Sequence, residues 1–400
     1  MKNLRVYQTE RVLLLPLAVV SMFLSMTVTT MLGPLLVDLA DEFDSSVAVV
    51  GQLATVTALP WAFSAVFSGP FSDRYGRKPL LLLGIGLGAV GSLGAALSPS
   101  LPWLMAARFA TGMGGMVPPA IMTTLGDVYP SDKRGRIIGL VMGISTLGPV
   151  VAVPLLALLA SALGWRSAFF AVAASMGTVL VALAILFPHT RGSQSASLDF
   201  RRRILLPALL PNIRRLVAAN FLSRVPHSVL ITYVAAYLIK SYDLSLAEIA
   251  LPVAVIALGM APGSLLGGQL ADRPGALIRS AAGLMIGGIL FLAMFTLSPV
   301  VWLSVLFGVM LNVAFQLPSP LTLKMLMEAS TESRGTMTGV FALGNQLGIV
   351  SGAALGGLSL AIVGFAGLAY LGLAVALVSG TLYFSLHLTH TRKHQTRGLP

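Results

Sequence analysis

Two arginines and a histidine stand where an apolar chain least tolerates them. Arg108, Arg224 and His227 each fall inside a long apolar run, and His227 follows Arg224 at the spacing that places both on one helix face. A guanidinium stays charged and suits two-pronged binding of carboxylate or phosphate. No acid accompanies them. All 14 Asp and Glu residues fall at or beyond the ends of the apolar runs, so the central region reads as electropositive and suited to an anionic or zwitterionic solute. The plainer reading is that each arginine ties helices together through carbonyls or reaches back to the membrane surface. Other polar residues placed to line a solute path are Gln52, Thr55, Tyr233, Tyr237, Asn312, Gln316, Asn345 and Gln346, with Met113 and Met116 as an adaptable wall. Each of these also fits a helix–helix contact. If protons are moved, Asp38, His227, Asp127 and Glu328 are the groups left to carry them.

The elements that must position these residues follow from composition. The 400 residues are 56% hydrophobic and 10% charged, against about 25% charged in soluble domains. Apolar spans run over residues 12–37, 47–71, 79–98, 101–126, 137–163, 167–187, 216–239, 249–270, 277–297, 300–323, 337–362 and 364–388. Each is long enough to cross a hydrocarbon core of about 30 Å as a helix. The expected fold is therefore an all-α membrane protein with twelve transmembrane helices. The first span is too long for a signal-peptide core and reads as a retained helix.

The 26 Lys and Arg residues sort by loop. Counting the N-terminus as inside, 22 fall on one side, two (Arg166 and Lys240) on the other, and Arg108 and Arg224 lie within spans. Cytoplasmic loops collect such residues, so both termini are expected in the cytoplasm of a cell whose inner membrane holds the chain. The formal charge of +12 is thus a topology signal with no nucleic-acid partner implied, and Arg201, Arg202 and Arg203 fit anionic lipid headgroups. With no cysteine, disulfides and thiolate metal sites are excluded; no metal or cofactor is expected.

The halves echo each other. Residues 132–139 read DKRGRIIG and residues 332–339 read ESRGTMTG; Gly164 matches Gly364; Asp127 and Glu328 correspond within one residue. Duplication joined by a polar segment predicts two pseudo-symmetric six-helix bundles, residues 1–187 and 213–400, with a cytoplasmic linker at 188–212. Paired prolines, Pro118-Pro119 and Pro318 with Pro320, predict kinks at matching depths of spans four and ten. Span eleven carries Gly344, Gly348, Gly352 and Gly356 on one face, a pattern that fits close packing and also sliding of flat faces.

The loop after span two reads Gly69-Pro-Phe-Ser-Asp73-Arg74-Tyr-Gly76-Arg77-Lys78-Pro79, and resembles the signature loop of the major facilitator superfamily. Arg108-Phe-Ala-Thr111-Gly112 resembles the second signature of its drug:proton antiporter branch. The resemblance covers all twelve spans. It implies that Asp73 docks against the start of span eleven (residues 335–337) when the cytoplasmic side is closed. It also implies that, beside Arg74 in the same gate, Arg77 bridges to Asp127, with Asp272, Arg273 and Glu328 as the mirrored set against the start of span five. The branch's span-five pattern departs here, because Gly148-Pro149 is followed by Val150 through Val153 with no glycine pair.

The expected function is a secondary active transporter, monomeric and not an enzyme, moving a small anionic or amphipathic organic solute by alternating access. Proton-coupled antiport and efflux lead; an organic-anion uptake or exchange carrier using Arg108 and Arg224 is the alternative. A membrane-embedded enzyme is disfavoured because His189, His387, His390 and His394 sit at helix ends or in the tail. An ATP-driven pump is disfavoured because no phosphate-binding loop of the G-x-x-x-x-G-K-[ST] type is present.

Overall fold

The computed structural model describes residues 2–129, 137, 140–145, 148–187, 211–271, 273–329 and 334–397. Every regular element among them is helical, and eleven helical segments are long and apolar enough to cross a bilayer. The twelfth crossing is residues 101–128, where α5 (Leu101–Gly112) and α6 (Val117–Val128) are separated by a 3-10 turn over Met113–Met116. The twelve-span, all-helical expectation therefore holds.

Prolines explain where crossings break. A proline lacks the N–H that would bond the carbonyl four residues earlier. Pro118 and Pro119 therefore release the carbonyls of Gly114 and Gly115, and the 3-10 turn sits there, one turn before the expected kink. In the first span, Pro34 releases Thr30, where α1 (Lys2–Thr30) gives way to α2 (Leu32–Glu42). In the tenth, Pro318 and Pro320 divide α13 (Val301–Gln316) from α14 (Pro318–Ala329) at Leu317. In the fifth, Gly148–Ala152 forms a π turn ahead of α7 (Val153–Leu163).

The remaining crossings are α3 (Val47–Tyr75), α4 (Arg77–Ala96), α8 (Trp165–Leu186), α9 (Pro211–Tyr242), α10 and α11 (Ala250–Leu258 and Met260–Ala271), α12 (Ala276–Thr296), α15 (Arg334–Val363) and α16 (Phe365–Arg397). Two compact units are present. One comprises Met1–Ser45, Val56–Leu198 and Ser245–Ala250; the other comprises Ser46–Thr55, Asp199–Leu244 and Leu251–Pro400. In the first, α4 packs most extensively on α8; in the second, α12 packs on α16. These are the third and sixth crossings of each repeat.

Backbone geometry repeats as well. Among the described residues, the left-handed ones fall in three pairs about 200 positions apart: Asp44 with Asp243, Gly76 with Gly275, and Gly164 with Gly364. The glycine pairs supply tight turns that other residues adopt only with strain. The same turns in both halves need the same residues, which is the physical root of the sequence echo.

The centre of the second unit is α9. Its span is 83% buried, against at most 56% for the other ten of those eleven segments. Close approach of α15 makes this possible. A Cβ on Gly348 would overlap the Phe221 carbonyl, and one on Gly352 would overlap the Val225 carbonyl. The glycine stripe thus presses backbone to backbone, as small residues do where no hydrophobic effect drives helices together.

Candidate substrate site and gate

Three basic side chains are buried among the described residues: Lys78, Arg108 and Arg224. Each serves the C-terminal carbonyls of a helix. Arg108 on α5 is fully buried; its Nη2 donates to the Val28 carbonyl in the last turn of α1 (3.0 Å) and its Nε to Thr57 Oγ1 on α3 (3.0 Å). Arg224 on α9 sends Nη2 to the Phe315 carbonyl in the last turn of α13 (3.0 Å) and Nη1 to Gln316 Oε1 (2.9 Å). Lys78 on α4 donates to the carbonyls of Ala184 and Phe187 at the end of α8 (2.8 and 2.7 Å). The last four carbonyls of a helix lack partners within it, and its dipole favours a cation there. Two of these helix ends, those of α1 and α13, exist because a proline interrupts the crossing. The breaks and the buried cations therefore belong to one device.

A polar cluster lies between α9 and α13. Arg224 and His227 are each 5% exposed, and Asn312 is 1% exposed. Asn312 Nδ2 donates to the Ile256 carbonyl (2.8 Å), and the Asn312 side chain faces His227. Gln316, one turn beyond Asn312, is only partly buried. Two polar atoms here have no partner, Arg224 Nε and His227 Nδ1. Each such atom costs about 1–3 kcal/mol in a protein interior. Arg108 Nη1 is also unpartnered.

The other expected path residues are spread along α3, α9 and α15. Asn345 accepts from Asn220 Nδ2 (2.9 Å). Tyr233 donates to the Ala353 carbonyl (2.8 Å), Gln52 Nε2 reaches the Ala354 carbonyl (3.4 Å), and Gln52 Oε1 accepts from Thr55 Oγ1 (3.2 Å). Tyr237 donates to the Met294 carbonyl (2.8 Å). The structure thus brings together Arg224, His227, Asn312 and Gln316. It places Arg108 in the other unit, at the junction of α1, α3 and α5.

The loop residues are only partly in view. The side chains of Asp73 and Asp127, and Asp272 altogether, lie outside the described residues. Arg77 bonds Ser72 across the Gly76 turn. Arg74 is exposed and stacks over the Tyr75 ring at 5.7 Å. Arg273 is exposed, and its carbonyl accepts from Arg279 (3.1 Å). Glu328 is exposed, 4.0 Å from Lys324 one turn earlier. Asp38, in α2 beyond the first apolar span, is half-buried; burial and the neighbouring Asp41 push its carboxyl above the usual range.

Sequence reasoning missed Lys78, which looked like any loop cation; nothing in its spacing pointed to the end of α8. It also missed Asn220, whose signal was available, because it stands one turn before Arg224 on the same face.

Comparison with known proteins gives one family. The family model for the Major Facilitator Superfamily matches residues 18–328 and again 216–399. An uncharacterized MFS-type transporter of Bacillus subtilis, YceJ, is 28% identical over 68% of this chain and 70% of its own. A chloramphenicol resistance protein of Streptomyces lividans is 28% identical over 78% of this chain and 80% of its own. Among solved structures, a bacterial homologue of the human lysosomal transporter Spinster, in its inward-facing, unoccupied conformation, superposes with a TM-score of 0.77. It is 20% identical and covers 97% of this chain and 98% of the other.

Proposed function

The chain belongs to the major facilitator superfamily of multi-pass membrane transporters, and we propose that it exports small organic solutes across the cell inner membrane in exchange for protons. The observation that carries this reading is the similarity to a chloramphenicol resistance protein through 78% of the chain, both halves included. A protein named for resistance to an intracellularly acting compound points to outward movement.

In the mechanism, residues 1–187 rock as one body against residues 213–400, tethered by 188–212, and the chain acts as a monomer with its termini in the cytoplasm. The interrupted crossings α1–α2, α5–α6 and α13–α14 bend where prolines have already broken the hydrogen-bond ladder. Asp73, Arg74, Arg77 and Asp127 latch one loop set, and Asp272, Arg273 and Glu328 the other. Solute meets Arg224, His227, Asn312 and Gln316, with Tyr233 further along α9, Asn345 on α15, Gln52 on α3 and Arg108 bracing α1 against α5. Of the proton candidates Asp38, His227, Asp127 and Glu328, His227 stands midway along a crossing while the others fall near helix ends, and we assign the proton to it.

Expression in a bacterial strain stripped of its own exporters tests the reading. Cells making the protein should accumulate less chloramphenicol, and a protonophore should abolish the difference. Equal accumulation with and without the protein, across a panel of neutral, anionic and cationic compounds, would refute export.

A further inference from the structure

We infer that the basic ends of α9, α12 and α16 form a docking surface for an anionic phospholipid, held through its phosphates by Arg214, Arg215 and Arg279. The three helices belong to one packed group, with α16 lying against both α9 and α12. Ser379 of α16 donates to the Ala219 carbonyl of α9 (2.9 Å). One residue on, a Cβ at Gly380 would press on the Ala281 carbonyl of α12. Arg215 stands one turn from Ala219, and Arg279 two residues from Ala281, each toward the start of its helix. The arginines therefore reach the same end of the second unit, within about one helical turn of a common level. From there α16 runs on to Arg397, with Arg392, Lys393 and Arg397 in its last two turns.

Charge at this end is of one sign. None of the three helices contains an Asp or Glu anywhere along its length. Arg214 and Arg215 are exposed and have no salt-bridge partner among the described residues. Arg279 is partly buried; its Nη2 donates to the Arg273 carbonyl (3.1 Å), and its Nε is buried without a partner. The acid nearest in sequence, Asp272, lies outside the described residues. The placement also opposes the helix dipoles. A helix start favours an anion and disfavours a cation, yet α9 and α12 each carry arginine as their fourth residue and no acid in their first turn. An external anion offsets both costs, pairing with the guanidiniums and meeting the positive helix ends. Soluble phosphates share that chemistry, and the neighbouring side chains select the lipid. Ile278 beside Arg279, and Phe384 and Leu388 on α16, are 41%, 42% and 46% exposed, apolar surface suited to acyl chains. With guanidiniums on two helices that both pack on α16, the headgroup that fits carries two phosphates, as cardiolipin does. Basic pockets between membrane helices hold such headgroups, and each arginine near the surface contributes about fivefold in affinity. The inference is independent of which solute is carried.

Native mass spectrometry of the purified full-length protein tests this with cardiolipin, phosphatidylglycerol and phosphatidylethanolamine of matched acyl chains, and with pyrophosphate as a soluble anion. Cardiolipin should be retained most tightly, then phosphatidylglycerol, with phosphatidylethanolamine and pyrophosphate weakest. Arg279→Gln should lower cardiolipin binding about fivefold, and Arg214→Gln with Arg215→Gln about twenty-five-fold. These variants act on separate helices, so either one tests the site if the other does not fold. Lys240→Gln, at the opposite end of α9, should leave binding unchanged. Phosphatidylethanolamine binding as well as cardiolipin, or a loss as large in Lys240→Gln as in the arginine variants, would overturn the inference. Pyrophosphate binding as tightly as cardiolipin would replace the lipid with a soluble anion. Loss confined to a variant with Arg201, Arg202 and Arg203 changed to Gln would move the lipid to the linker. Phosphatidylglycerol binding as tightly as cardiolipin would refute the two-phosphate headgroup.

Discussion

Replacing Thr57 with valine removes a hydroxyl that Arg108 Nε holds at 3.0 Å while leaving the shape of the side chain nearly unchanged. Arg108 is fully buried and already has one unpartnered nitrogen, Nη1, so the variant leaves a charged group with a second. Hydrogen bonds between side chains of neighbouring membrane helices average about 0.6 kcal/mol. A bond from a charged donor contributes about 1.5–3 kcal/mol, and the unpaired group keeps its desolvation cost. The charge decides, and we expect Thr57→Val to destabilise the protein by about 2–3 kcal/mol. The control is a double-mutant cycle. In an Arg108→Met background the same Thr57→Val change should cost less by a coupling energy of about 1.5–3 kcal/mol. Denaturant titration of the purified protein in mixed micelles, followed by tryptophan fluorescence, supplies all four stabilities. A coupling below about 0.5 kcal/mol, the size expected for independent sites, would refute the claim that Arg108 braces α3 and α5.

Three further outcomes follow from the packing and the loops. Gly352→Ala should cost about 1–3 kcal/mol, because its Cβ would overlap the Val225 carbonyl, whereas Gly268→Ala, with nothing within 4 Å, should be neutral or stabilising; folded yield in detergent separates the two. Asp38→Asn should raise thermal stability at neutral pH and flatten its pH dependence. The Asp38 carboxyl is raised in the folded state, so the fold holds more protons than the unfolded chain between the ordinary carboxylate value and the raised one, and stability falls as pH rises through that window; a steeper pH dependence in the variant would contradict this. Asp73→Asn should shift the resting population toward the state open on the basic side, and unchanged labelling of single cysteines on both faces would sink the latch.

The span pattern was legible because each crossing must be apolar for about 20 residues, and the repeat because Gly76 and Gly275, or Gly164 and Gly364, meet the same backbone demand. The kinks were legible as prolines, though the distortion in span four falls a turn earlier, over the released carbonyls. The role of the buried cations was not legible. That Arg108, Arg224 and Lys78 each meet a helix end depends on which interrupted helix lies beside them, a matter of three-dimensional neighbours. The pairing of Arg224 with Gln316 likewise joins residues about 90 positions apart with no local signal.

Reconstituted vesicles offer the most direct test of proton-driven export. Protein is placed in liposomes loaded with a pH-sensitive dye, a pH gradient is imposed, and chloramphenicol is added to one side. The account predicts proton movement in the direction opposite to the solute, started by the solute and absent from protein-free liposomes. Solute flux that simply equilibrates, indifferent to the gradient and moving no protons, would contradict it.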